Sequence, residues 1–381
     1  STPAASNSAA EGEEKTDYGK LIKATDASKL PSAATARKDT LVVGATEFNG
    51  IFNPMWSESA YDWYVMYPTS GVSSLLVVND DGEMVDGTAS MKVSDDGLTY
   101  TFKLKDDKYS DGTPVTSKDY VNGFNILCDK SYDGPSNSPL NYGLVGAQDY
   151  HDGKAKTISG ITTPDDKTIE FKIEKPNASA QYLFGGAVPI STKLYGSLIK
   201  QGDVSGFKNL NMVGYVANGP YILKEYKKGQ SATMEANPNY YEGTPKIKKI
   251  IVKTVAGGSE MQAVMTGDVD IEADVTASED QVSIAKQAKF INLWVQPTLG
   301  YGYVGLNHKN DQFKDLKVRQ ALLYAIDRES LVKSVYGEYG KVLNINQTAQ
   351  SWLYTEDGIN QYKYDPEKAA QLLKDLSLIH I

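Results

Sequence analysis

The chain has 381 residues, with 39 Lys and Arg against 48 Asp and Glu, and a net charge of -9. This length exceeds what one hydrophobic core usually organises, so two or more domains are expected. The acidic balance argues against a nucleic-acid partner, and no apolar run reaches the roughly 20 residues that a membrane helix needs.

Cysteine and histidine are scarce in this sequence. A single cysteine, Cys128, excludes a disulfide within the chain, and three histidines leave no Cys/His spacing for a metal, so no cofactor is expected. Cys128 is expected to be a buried small residue on a helix. His151, His308 and His380 stand singly, without a nearby serine or cysteine nucleophile motif. These residues do not predict catalysis.

The first 38 residues are small, polar and acidic at their start, in "STPAASNSAAEGEEKTDYGK". Such a composition offers too little apolar surface to offset chain entropy, so the segment 1–38 is predicted to be a disordered tether. It is similar to the linker of bacterial lipoproteins, in which a lipidated cysteine would precede Ser1. An ordinary N-terminus left by signal-peptide removal is the alternative.

Alternating strands and a helix follow in chain order. "DTLVVGATEFNGIFNP" predicts a short apolar strand that runs into a loop. "KVSDDGLTYTFKL" and "ITTPDDKTIEFKI" each predict a hairpin whose second strand buries one face. Between them, "TSKDYVNGFNILCD" predicts a helix capped by Thr116 or Ser117, with Tyr120, Phe124 and Leu127 inside. Helices and strands are therefore mixed within one domain.

The second half of the chain predicts further helices with clear ends. One runs over residues 259–266, stops at Gly267 and feeds a short strand over 269–271. In "DLKVRQALLYAIDRESLVKSVYG", a core stripe is predicted on the first helix, and a second helix is predicted to begin after Asp327 and end at Gly337. The stripe residues are Val318, Leu322, Ala325 and Ile326 on the first helix and Leu331, Val332 and Val335 on the second.

Six phrases, in this order, resemble family 5 of the extracellular solute-binding proteins of ABC importers, which includes oligopeptide- and dipeptide-binding proteins. They are "LVVGATEFNGIFNP", "VSDDGLTYTFKLKDDKYSDGTPVTSKDYV", "ANGPYILKEYKKGQSATMEANPNYYEG", "GDVDIE", "FKDLKVRQALLYAIDRESLV" and "YDPEKAAQLLKD". No phrase is specific alone, but the ordered set is. One departure is Met91, where the family usually has tryptophan, and we expect it to alter packing only.

The resemblance implies an α/β, two-lobe, periplasmic-binding-protein-like fold with an inserted extra α/β domain. A base domain of the first lobe would comprise residues 39–70 and 189–300, and the inserted domain would comprise residues 71–188. Residues 301–375 would be part of the second lobe, which is expected to be incomplete in this chain.

The last residues, "LSLIHI" at 376–381, depart from the family pattern. Back-translated, they match an adapter used in transposase-based sequencing libraries. We expect them to be an untemplated artefact and the chain to be C-terminally truncated; a native frameshift or a short natural variant is the alternative.

The resemblance also implies ligand-binding positions. The loop after the first strand would offer Trp56, Ser57, Glu58 and Ser59, with Glu58 expected to meet a basic ligand group. A solvated loop carboxylate is the competing interpretation of Glu58. Further candidates are Asp274 after "GDVDIE", Tyr301 and Tyr303 at the bend into the second lobe, and Asn141 and Tyr142 from the inserted domain. The aspartate that binds the peptide amino terminus in the family would lie beyond this chain.

The implied function is capture of a peptide between two lobes and its delivery to a membrane permease of an ABC importer. The protein would be monomeric, held at the extracellular face of the membrane by an N-terminal lipid anchor, and not an enzyme. Alternatives are another ligand, such as an oligosaccharide or a metal chelate, and peptide sensing. An extracellular hydrolase is disfavoured because the acidic residues lie mostly in turns, where turn formation accounts for them.

Overall fold

The computed structural model describes residues 13–16, 19–79, 83–136, 138–273, 275–276, 278–298, 300–351 and 353–374. The described chain forms two compact units, one from residues within 1–30 and 275–381 and the other from residues within 31–274. The units divide at 274–275, and the start of the second lobe predicted at residue 301 stays a prediction. The division of the first lobe into base and inserted domains stays a prediction.

Strands and helices alternate through the larger unit, whereas helices dominate the end of the chain. The strands are β1 (Glu13–Thr16), β2 (Gly19–Ile22), β3 (Thr40–Ala45), β4 (Leu76–Val78), β5 (Met84–Asp86), β6 (Ala89–Val93), β7 (Thr99–Leu104), β8 (Ile161–Asp165), β9 (Thr168–Lys172), β10 (Tyr221–Lys227), β11 (Ser231–Ala236), β12 (Lys249–Thr254), β13 (Ile271–Glu272) and β14 (Leu293–Val295). The helices are α1 (Ser32–Thr35), α2 (Trp63–Thr69), α3 (Ser117–Cys128), α4 (Ala147–His151), α5 (Ala180–Gly185), α6 (Thr192–Tyr195), α7 (Ser205–Lys208), α8 (Glu260–Thr266), α9 (Glu279–Ala288), α10 (Leu316–Ala325), α11 (Arg328–Tyr336) and α12 (Pro366–Lys374).

The larger unit contains a five-stranded sheet with the order β10-β11-β12-β3-β13. β12, β3 and β13 run parallel, whereas β10, β11 and β12 are antiparallel neighbours. The predicted strand after residue 39 is confirmed as β3. Gly267 ends α8 in a left-handed conformation at the predicted stop, and the following strand is shorter than predicted, beginning at Ile271. The side chain of Asp270, just before it, binds Arg37 and the N–H of Val42.

A second sheet, with the order β6-β7-β9-β8, confirms both predicted hairpins. Tyr100 and Phe102 from β7 and Phe171 from β9 are buried on one face of this sheet, where they pack against α3. Thr116 caps α3 through a reciprocal capping box with Asp119, as the sequence predicts. Cys128 ends the helix and is buried, and its burial raises the pKa of the thiol to about 12.

The N-terminal segment differs from the predicted tether. β1 pairs with β2, and β2 pairs with β14, so residues 13–16 and 19–22 form a three-stranded antiparallel sheet with residues 293–295. Leu21 and Ile22 are buried, and the carbonyl of Lys289 accepts the N–H groups of Thr25 and Asp26 at 2.7 and 2.8 Å. The segment is polar on average, but these two apolar residues lie in the strand that pairs with β14.

Gly19→Val is expected to separate β2 from β14. Gly19 has a φ of +143°, and an added Cβ would lie 2.2 Å from the carbonyl oxygen of Val295, so a side chain cannot enter without displacing the strand. Hydrogen exchange should show faster exchange of the β2 and β14 amides. The control is Gly257→Ala, whose added Cβ meets nothing within 4 Å and should leave exchange unchanged. Wild-type exchange in β14 of the Gly19 variant would contradict the pairing.

The helices near the end of the chain form where predicted, but most residues of the predicted stripes are not buried. Asp327 caps α11 by accepting the N–H of Ser330, and α11 ends at Gly337. In α10, Ala321 and Tyr324 are buried against Ala369 of α12. Val318 is buried, as predicted, but Leu322 and Ile326 are exposed, as are Leu331 and Val335 on α11. The rest of the stripe prediction was wrong because packing against α12 buries Ala321 and Tyr324 instead, and α11 has no buried residue among the described ones.

Candidate functional site

The loop that follows β3 is held in place by a buried carboxylate. Asp62 is fully buried, and its Oδ1 accepts the N–H groups of Asn49 and Gly50, both at 3.1 Å. Its Oδ2 accepts the N–H of Ile51 at 3.0 Å. Burial raises the pKa of Asp62, and the three hydrogen bonds oppose that rise. The loop therefore leaves the carboxyl end of a parallel strand in a defined direction, at the sheet edge where α/β proteins commonly bind ligands.

Two further side chains fix the next part of the loop. The amide of buried Asn53 donates to the carbonyl of Phe207 at 3.0 Å, and its oxygen accepts the N–H of Met55 at 3.2 Å. The indole N–H of Trp56 donates to the carboxylate of Asp133 at 2.8 Å. The Trp56 ring lies 5.3 Å from that of Tyr132. Residues 53–56 are consequently bound to two other segments of the same unit, one at Phe207 and the other at residues 132–133.

The structure separates the four predicted loop residues by their exposure. Trp56 is 6% exposed and belongs to a hydrophobic cluster, so in this unit it supports the loop. Ser59 is also buried, and its hydroxyl accepts the N–H of Tyr61 at 3.2 Å. Glu58 is exposed, whereas the hydroxyl of Ser57 is buried and has no hydrogen-bond partner among the described residues. Of the four, only Glu58 presents an exposed polar side chain.

The remaining predicted residues lie elsewhere. Asn141 is exposed in the short turn Pro139–Tyr142, and Tyr142 packs partly buried against the core of the β6-β7-β9-β8 sheet. Tyr301 and Tyr303 belong to the smaller unit, are 45% and 81% exposed, and have ring centroids 6.1 Å apart. Asp274 lies outside the described residues. The structure thus brings Tyr301 and Tyr303 together, and it places the loop and Asn141 in the other unit.

Sequence reasoning missed the residues that organise the loop, namely Asn53, Asp62 and Asp133. Asp62 stands directly before α2, a position from which an aspartate is expected to cap its own helix. Its side chain instead makes no cap hydrogen bond and turns back to residues 49–51. The available signal was the pair of turn residues in "FNGIFNP", which indicates a loop whose amides need acceptors.

A cavity of about 1060 Å³ lies within the smaller unit. Its walls are α11, the start of α9 and residues within 337–344 and 354–364. Arg328 spans these walls by donating to Asn344 Oδ1 at 3.0 Å and to the carbonyl of Gln361 at 2.8 Å. None of the predicted site residues that the structure describes lines this cavity, and its lining mixes lysines with glutamates.

The Trp56–Asp133 contact predicts a pH dependence. Hydrogen bonds from Lys208 and Trp56 hold the pKa of Asp133 below its usual value. A carboxyl with a lowered folded-state pKa stabilises the fold above its unfolded pKa, and that stabilisation is lost as the pH falls through the folded pKa. The indole N–H resonance of Trp56 should therefore stay constant at neutral pH and shift only at a pH below the ordinary titration range of aspartate.

NMR titration checks this expectation, with Trp56→Phe to assign the resonance. Asp133→Asn should abolish the acid-induced shift and leave the remaining indole signals in place. A midpoint at or above the usual aspartate pKa would contradict the hydrogen bonding described for Asp133.

No helix in the described part of the chain is long and apolar enough to cross a membrane. Among the same residues, no group of three or more His, Cys, Asp or Glu side chains could hold a metal ion.

A family model and individual known proteins both show similarity between this chain and one group of bacterial proteins. A family model described as bacterial extracellular solute-binding proteins, family 5 Middle, matches residues 83–377. The dipeptide-binding protein of Escherichia coli K12 is 30% identical over 306 residues, which cover 78% of this chain and 55% of that protein.

Solved structures are similar as well. The oligopeptide-binding protein AppA of Bacillus subtilis, in complex with a nonapeptide, is similar with a TM-score of 0.73 and 27% identity, over 88% of this chain and 64% of that one. Haemophilus influenzae OppA in complex with RPPGFSPFR is similar with a TM-score of 0.72 and 25% identity, over 89% of this chain and 67% of that one. The fold is therefore the α/β, two-lobe, periplasmic-binding-protein type. The chain spans 50% to 59% of the length of several curated relatives that it matches.

Proposed function

Because the chain belongs to family 5 of the bacterial extracellular solute-binding proteins, we propose that it captures peptides and delivers them to the membrane permease of an ABC importer. The observation that carries the proposal is its likeness at 27% identity to a protein solved with a bound nonapeptide. The relatives named for dipeptides and oligopeptides support the same ligand class.

The loop after β3 supplies groups suited to a peptide. Glu58 is an exposed carboxylate that pairs with a basic ligand group. Tyr301 and Tyr303 add exposed aromatic surface, which binds variable side chains at a low entropic cost. Peptide binding without a fixed sequence needs this combination of few polar anchors and adaptable contact area.

The proposed activity is binding without chemistry. The acidic turn residues are occupied locally, since Asp96 accepts the N–H of Leu98 at 3.0 Å and Asp165 accepts the N–H of Lys167 at 2.8 Å. We further propose that the protein acts as a monomer at the extracellular face of the membrane, attached there by an N-terminal lipid anchor. Its partners are then the peptide and the permease subunits.

Native mass spectrometry of the protein purified from a peptide-containing medium tests the proposal. Peptides should be released on denaturation in a one-to-one ratio, and incubation with those peptides should return them uncleaved. Recovery of sugars or metal chelates instead, or cleavage of the peptides, would overturn the proposed function.

A further inference from the structure

The buried carboxylate of Asp62 accepts hydrogen bonds from a turn that lies earlier in the chain, and it does not cap its own helix. Its carboxylate is fully buried and accepts three consecutive N–H groups, from residues 49–51. Three donors converging on one carboxylate form a charge-assisted set that no single neutral side chain can reproduce. The turn is therefore fixed from one side by a group that the proposed ligand does not need to touch.

The same turn also packs closely against an aromatic side chain. Gly50 has a φ of +77°, and an added Cβ there would lie 2.3 Å from the hydroxyl oxygen of Tyr226. The Tyr226 ring meets that of Phe52 edge-to-face at 4.8 Å, and the ring of Phe48 lies 6.3 Å from that of Phe52. The 49–51 turn thus contacts both the Asp62 carboxylate and the aromatic cluster that contains Tyr226. Together these contacts restrict the backbone conformation at the start of the loop.

We propose that Asp62 is a positioning residue of the ligand site, which fixes the 49–51 turn and so sets where Glu58 is presented. This inference rests on the proposed function, since the loop matters only if a ligand meets it. Asp62 itself makes no ligand contact. Its removal should weaken binding of all peptides alike, because it acts through the backbone and not through a side-chain pocket.

Asp62→Asn separates positioning from a general structural role. Asparagine keeps the shape but has a single accepting oxygen, and its NH2 group would face a backbone N–H. At the same time the substitution removes a buried charge whose desolvation is unfavourable, which is why burial raises the pKa of Asp62. We therefore expect Asp62→Asn to weaken the hydrogen bonds that hold the 49–51 turn. The melting temperature of the protein should change by only a few degrees.

The matched control is Asp107→Asn. Asp107 is 5% exposed, burial likewise raises the pKa of its carboxyl, and it accepts hydrogen bonds from Asn218 at 2.7 Å and from the N–H of Lys108 at 2.8 Å. It lies outside the loop. A variant of this residue should alter stability without altering exchange in residues 49–59.

The test combines hydrogen exchange with binding of fluorescein-labelled RPPGFSPFR, the nonapeptide bound by the Haemophilus influenzae relative. In Asp62→Asn, amides of residues 49–59 should exchange at least tenfold faster and the peptide Kd should rise at least tenfold. Asp107→Asn should stay within twofold of wild type in both. Wild-type exchange in residues 49–59, or faster exchange with an unchanged Kd, overturns the proposal.

The two proposals fail in distinguishable ways. A wild-type protein that binds no peptide contradicts the proposed function, whereas the exchange comparison still decides whether Asp62 holds the loop. Equal exchange in the two variants would then leave Asp62 with no positioning role.

Discussion

Phe171→Ala is expected to lower the free energy of unfolding of the larger unit by about 3–5 kcal/mol. Phe171 is fully buried, its ring stacks on Phe184 at 4.6 Å with an angle of 4°, and Phe124 lies at the same distance. Phe102 meets it edge-to-face at 5.7 Å. Truncation leaves a cavity among three rings that belong to different elements, so the surroundings cannot close around it.

Urea unfolding followed by hydrogen exchange in β7 and β9 measures this effect within the unit that contains Phe171. The control is Tyr182→Ala, an aromatic side chain that is 51% exposed, which should change the stability by no more than about 0.5 kcal/mol. A loss below about 1 kcal/mol for Phe171→Ala would show that the rings are not the packed centre of this unit.

Asp270→Ala is expected to cost about 2–3 kcal/mol, since it leaves the partly buried guanidinium of Arg37 without its negatively charged partner. Asp270 pairs with the guanidinium of Arg37, and the two side chains are only 22% and 20% exposed. Asp270 Oδ2 also accepts the N–H of Val42 at 2.8 Å, and Arg37 donates to the carbonyl of Gly267 at 2.8 Å. The substitution therefore disturbs the start of β3 and the turn before β13 together.

The control for Asp270 lies two residues earlier. Asp268 pairs with Lys253 at 2.8 Å, but the two side chains are 60% and 40% exposed, so Asp268→Ala should cost at most about 1 kcal/mol. A double-mutant cycle with Arg37→Ala, read by thermal unfolding, isolates the pair. If Asp270→Ala is no more destabilising than Asp268→Ala, the Arg37 contact does not hold the parallel strands.

Local patterns predicted those elements whose signals lie within a few residues. The capping of α3 by Thr116, the left-handed stop at Gly267 and the buried faces of β7 and β9 are confirmed. Each depends on a cap oxygen, a glycine conformation or a two-residue alternation, which the chain carries locally. The family likewise follows from phrases whose order the sequence displays.

Contacts between residues far apart in the chain were not predictable in this way. The N-terminal hairpin forms because β2 meets β14, and the N–H of Ala24 donates to Asn292 at a separation of 268 residues. On α10 the buried Val318 was predicted correctly, but the exposed Leu322 and Ile326 were also predicted to be core residues, because apolar character alone does not show which neighbour will cover a residue. That choice belongs to α12, through Ala369.

The candidate site likewise has some features that follow from the sequence and others that depend on contacts between distant residues. The sequence by itself determined the family, the loop after β3 and the residue types that the loop offers, because these depend on composition and local order. Only the tertiary structure decided that Trp56 faces Asp133, that Asp62 binds residues 49–51 and that Glu58 remains exposed. These outcomes depend on which distant groups satisfy each buried donor and acceptor, and that matching exists only once the chain has folded.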